Sequence, residues 1–88
     1  MIVSIEEAKL YLRLDDGYED SLVENLILSA EQIVSDVARS ELTVKKPVYR
    51  VAILYTIAYL YENREQANHN NLMLTLRALL FGVREAMF

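Results

Sequence analysis

Few residues in this chain have the chemistry to act on a ligand. His69 is the single histidine and lies in Ala67-Asn-His-Asn-Asn71, a loop by composition. With no cysteine and no second histidine, a transition-metal site lacks soft ligands. The acids Asp15, Asp16, Glu19 and Asp20 cluster around Gly17. A calcium loop needs acids at alternate positions, then glycine, then a bidentate glutamate, and Asp15-Asp16-Gly17 does not match that order. Capping and helix-dipole stabilisation explain the cluster more simply.

Nucleophilic catalysis fares no better. Ser4, Ser21, Ser29, Ser35 and Ser40 have no base partner apart from the loop histidine, and no glycine-rich phosphate loop or Gly-x-Ser-x-Gly elbow occurs. The chain reads as a non-enzyme that needs no cofactor or metal. Lys45, Lys46 and Arg50 cluster near the start of one helix, and Arg77 and Arg84 lie further on. That is a thin basic patch on a chain of net charge −4, where nucleic-acid binding calls for a stripe.

The elements that carry these residues are helical. Eighty-eight residues make one small domain, residues 1–88, with 53% hydrophobic and 25% charged residues. Leu, Ile, Val and Phe number 30, enough to build a core and to exclude a disordered chain. The start, Met1-Ile-Val-Ser-Ile-Glu-Glu, has no basic region and does not read as a secretory signal. The longest uncharged apolar run, Val51 to Tyr61, falls well short of the roughly 20 residues that span a bilayer. No membrane partner is expected.

The spacing predicts a small all-α bundle of four helices, or five if Gly82 divides the last. Ser4 caps the first helix, with Glu7 as its capping-box partner and Ile5, Ala8 and Leu12 along one side. The long second helix runs from about Tyr18 to Arg39. Leu22, Val23, Leu26, Ile27, Ala30, Ile33, Val34 and Val37 fill one sector of roughly 140°, and Leu28 points out among polar residues. Pro47 marks the first turn of a third helix, Val48 to about Glu65, that is apolar nearly all round. Its broad face is Val51, Leu54, Tyr55, Ile57, Ala58 and Tyr61. Tyr49, Thr56 and Asn63, spaced by seven, form its narrow polar stripe. Such a helix is either the central post of the bundle or has one side against another subunit. Leu72 to Phe88 is helical again and ends in an unusually apolar Ala-Met-Phe88.

Charge divides along the chain. Residues 1–40 hold nine acids and three bases, and residues 41–88 hold four acids and six bases. Opposite signs in the two halves suit association of one copy with the next, although two solvated faces give the same tally.

In order along the chain, these features resemble small bacteriophage head–tail connector proteins. Val3-Ser4-Ile-Glu-Glu-Ala-Lys-Leu-Tyr-Leu-Arg-Leu-Asp15 is similar to the family's opening pattern, and Asp20-Ser-Leu-Val-Glu-Asn-Leu-Ile27 to its long second helix. Pro47 to Glu65 resembles its third helix, which ends in Tyr61, Glu62, Asn63, Arg64 and Glu65. Phe81-Gly-Val-Arg-Glu-Ala-Met87 resembles its closing segment, except that Leu80 stands where members commonly have proline and the chain stops sooner.

The resemblance implies an adaptor of long-tailed phages or prophages, made in the bacterial cytoplasm and located at the virion neck. Such proteins form a ring beneath the portal protein, extend the DNA channel and offer a platform to a stopper or tail-completion protein. DNA is then only passing cargo. Two contact sets are expected on this chain. Glu24, Leu28 and Glu31 of one copy meet Lys45, Lys46 or Arg50 of the next, and Leu79, Phe81, Met87 and Phe88 dock on the portal. The rival readings are a small helical regulatory or nucleic-acid-binding protein of a mobile element, and a standalone helical dimer.

Overall fold

The computed structural model describes residues 2–15, 19–38, 47–63 and 70–80. Among these, four helices and no strands occur: α1 (Ile5–Leu12), α2 (Asp20–Ala38), α3 (Pro47–Glu62) and α4 (Asn70–Leu80). The all-α bundle read from the sequence is therefore the fold, with α2 its longest helix. The helix α2 packs against α1, α3 and α4, and α3 likewise touches every other helix, whereas α1 and α4 do not meet. α2 and α3 together form the middle of the bundle, with α1 and α4 laid separately against that pair.

α1 is short, and its ends show how so brief a helix is held. Ser4 is its N-cap, and the Ser4 Oγ accepts the Glu7 N–H at 3.1 Å, satisfying one amide the helix itself leaves unpaired. Val3 precedes the cap and Ala8 is the fourth helical residue, the two positions of a hydrophobic staple. Both are fully buried in the same core cluster. At the far end Arg13 adopts a left-handed conformation, φ 59° and ψ 43°. The Arg13 N–H donates to the Leu10 carbonyl at 3.2 Å and the Leu14 N–H to the Lys9 carbonyl at 2.9 Å, a Schellman ending. Leu14 is then turned back to pack on the core.

The core has a plain composition. Val23, Ile27, Ala30, Val34 and Ala38 come from α2, and Leu72, Leu76 and Leu80 from α4, each at helical spacing. From α3 come Tyr49, Ala52, Ile53, Thr56 and Ile57. Two expectations about faces are corrected here. Leu22, assigned to the inner sector of α2, is exposed, because it sits at the edge of that arc in the first turn and no described residue covers it.

The larger correction concerns α3. Tyr49 and Thr56 of its polar stripe face inward, while Val51 and Tyr55 of its broad apolar face are exposed rather than covered. A helix apolar all round has no preferred face, so fit and polar satisfaction decide its rotation. Ala52, which is small, is fully buried. The Thr56 hydroxyl is satisfied inside its own helix, donating to the Ala52 carbonyl at 2.8 Å.

Helix ends differ modestly from the sequence reading. α3 ends at Glu62, and Arg64 and Glu65, included in the helix by the sequence reading, lie outside the described residues. The Asn63 backbone N–H and its side-chain Nδ2 both donate to the Tyr59 carbonyl, at 2.9 and 3.0 Å. α4 begins at Asn70, so Asn70 and Asn71, read as loop, form its first turn. Whether residues beyond Leu80 form a further helix divided at Gly82 lies outside the described residues.

Candidate functional site: the outer faces of the bundle

Three polar links tie α1 and the segment before it to the central pair. The Ile2 N–H donates to Glu31 Oε2 at 2.7 Å, across 29 residues of sequence. Lys9 Nζ pairs with Asp20 at the start of α2, and Arg50 of α3 pairs with the Glu7 carboxylate. The first two run α1 antiparallel to α2, since residue 2 meets residue 31 and residue 9 meets residue 20. Glu7 thus fulfils half of the capping box read from the sequence: its amide is capped by Ser4, while its carboxylate is used on α3.

These links bear on the expected subunit contact. Glu24 and Leu28 are exposed on α2 as anticipated. Glu31 is half-buried and holds the Ile2 amide, and Arg50 is exposed but engaged with Glu7 of its own chain. Lys45 and Lys46 lie outside the described residues. Of the expected portal-docking group, Leu79 is exposed on α4, and Phe81, Met87 and Phe88 lie outside the described residues. Of the family signature, Tyr61 is half-buried, Glu62 exposed and Asn63 caps α3. Arg64 and Glu65 fall outside.

The structure also brings out surface residues that the sequence reading passed over. Leu10 and Tyr11 on α1, Val51 and Tyr55 on α3, and Leu74 on α4 are large, apolar and exposed. Isolated exposed leucines are ordinary, but here each of the four helices leaves at least one such group outside. Helical periodicity carries that signal for Leu74, which lies opposite Leu72, Leu76 and Leu80. It carried none for Val51 and Tyr55.

Among the described residues no group of three or more His, Asp or Glu side chains is placed to hold a metal ion. No described helix is long and apolar enough to cross a membrane. What the arrangement offers is surface for contact with other proteins.

Comparison with protein families gives that surface its setting. The family model for phage gp6-like head-tail connector proteins matches residues 2–87, and the chain belongs to that family. Its role is that of a structural connector in phage assembly, working with other head and tail proteins. Comparisons with curated proteins and with solved structures returned no match.

Proposed function

We propose that this protein, as a single domain spanning residues 1–88, assembles into a ring beneath the portal at the virion neck. The ring extends the DNA channel and presents a platform to the stopper or tail-completion protein. Family membership over nearly the whole chain carries this reading. The distribution of exposed apolar side chains over all four helices supports it, because a ring subunit needs separate surfaces for neighbours and for the proteins above and below.

In this reading Glu24, Leu28 and Glu31 line the acidic side of the subunit contact, with Lys45, Lys46 and Arg50 on the basic side. Leu79, Phe81, Met87 and Phe88 dock on the portal. DNA passes through the ring without being read. The reading assigns the chain no catalytic step.

The test is complementation of DNA-filled heads made without this protein. Added purified protein is expected to bind those heads and restore tail joining. Failure to bind heads that carry portal protein contradicts the proposal. Salt-sensitive binding of free DNA in place of head binding would support the regulatory reading instead.

A further inference from the structure

The outer faces of α2 and α4 differ in charge. α2 contains four acids and no base, while α4 contains one base, Arg77, and no acid. Each presents two exposed leucines, Leu22 and Leu28 on α2 and Leu74 and Leu79 on α4, of which Leu28 and Leu74 lie in mid-helix one turn from Glu24 and Arg77. Leu28 on α2 is 48% exposed and follows Glu24 by one turn; Leu74 on α4 is 62% exposed and precedes Arg77 by one turn. The ion pairs among the described residues are Lys9–Asp20 and Glu7–Arg50, so neither Glu24 nor Arg77 is paired within that set.

We propose that the α2 face of one copy receives the α4 face of the next, with the helices antiparallel, Leu28 against Leu74 and Glu24 against Arg77. The direction follows from order. Glu24 lies four residues before its leucine, about 6 Å along the axis, and Arg77 three residues after its own, about 4.5 Å. Only antiparallel helices bring both pairs together, and the reach of the Glu and Arg side chains covers the small difference. The same register sets Asn71, three residues before Leu74, opposite Gln32, four after Leu28.

On α1 the exposed Leu10 also follows an exposed acid, Glu6, by one turn, but Lys9 and Arg13 stand close to it, whereas α2 contains no base. The outer strip of α3, from Val51 through Tyr55, has Arg50 beside it, and Arg50 is engaged by Glu7. Because the α2 and α4 faces are different surfaces, the contact is head-to-tail and each copy uses both, which closes into a ring when the rotation permits. The assignment rests on the ring reading above and replaces its basic side with Arg77.

A chain without cysteine allows a direct test by disulfide trapping. Particles are assembled with the full-length chain carrying Leu28→Cys and Leu74→Cys together, or either alone, and are oxidised. Both positions are exposed, and circular dichroism of the purified variants checks that they fold. The double variant is expected to give a ladder of multimers, and each single variant only monomer. A dimer from a single variant shows a like-with-like contact and overturns the proposal. Several copies per particle without a ladder overturn the pairing and leave the ring standing; one copy or none overturns both.

Charge exchange gives a second readout that needs no cross-link. Glu24→Arg is expected to lower incorporation into particles at least tenfold, and adding Arg77→Glu to restore it. Equal loss in the single and double variants would overturn the pairing.

Discussion

The Ile2 amide donates to the Glu31 carboxylate at 2.7 Å, joining the start of the chain to the second half of α2. Val3, the next residue, is fully buried, so this link holds a core side chain in register. Glu31→Ala removes the acceptor from a partly buried amide and is expected to cost about 1–2 kcal/mol of stability. Urea denaturation of the two chains measures it, and an unchanged midpoint would contradict the role assigned to this bond.

Capping of α1 makes a second prediction. Eight residues form too short a helix to persist without its ends and its neighbours. Ser4→Ala leaves the Glu7 amide without its partner and is expected to destabilise the protein by about 1 kcal/mol. Hydrogen exchange should quicken at Glu7 and its neighbours in α1 before it does in α2 or α3. Exchange that is unaltered at Glu7 would contradict this capping role.

At the other end of α1, Arg13 holds a left-handed conformation that a β-carbon disfavours. Arg13→Gly relieves that crowding at the cost of a more flexible unfolded chain. The net gain is expected to be up to about 1 kcal/mol, read as a higher thermal midpoint.

Burial separates the leucines of α4. Leu76→Ala empties space in the closed core and is expected to cost about 2–5 kcal/mol. Leu74→Ala changes an exposed position, and its effect on the isolated chain is expected to stay within about 0.5 kcal/mol. A large loss of stability at Leu74 would mean that this side chain serves the fold rather than a partner.

How much of this was legible beforehand follows from the sharpness of each helix's pattern. α2 and α4 have one clearly apolar side, so Val23, Ile27, Leu72 and Leu76 could be placed inside from spacing alone. α3 offered nearly equal faces, and its rotation was set by the small Ala52 and by a threonine able to bond its own helix. Val3 was not seen as core because it precedes its helix and belongs to no periodic run. Arg13 carries no local signal, because a Schellman ending is usually announced by glycine and Gly17 lies four residues further on.

The candidate surface was legible in part for the same reason. Leu28 interrupts the polar side of a well-patterned helix, and that interruption is visible in the sequence. The pairing of Glu7 with Arg50 and of Ile2 with Glu31 joins residues far apart in sequence, and no local pattern announces it. Those contacts show that two residues expected at a subunit boundary, Glu31 and Arg50, are also engaged within the chain.

The central claim is a ring component at the neck, and copy number tests it most directly. Quantitative peptide mass spectrometry on purified, DNA-filled particles counts this chain against the portal protein. The account predicts a copy number close to that of the portal. Absence of the chain from such particles, or a single copy in each, would contradict it.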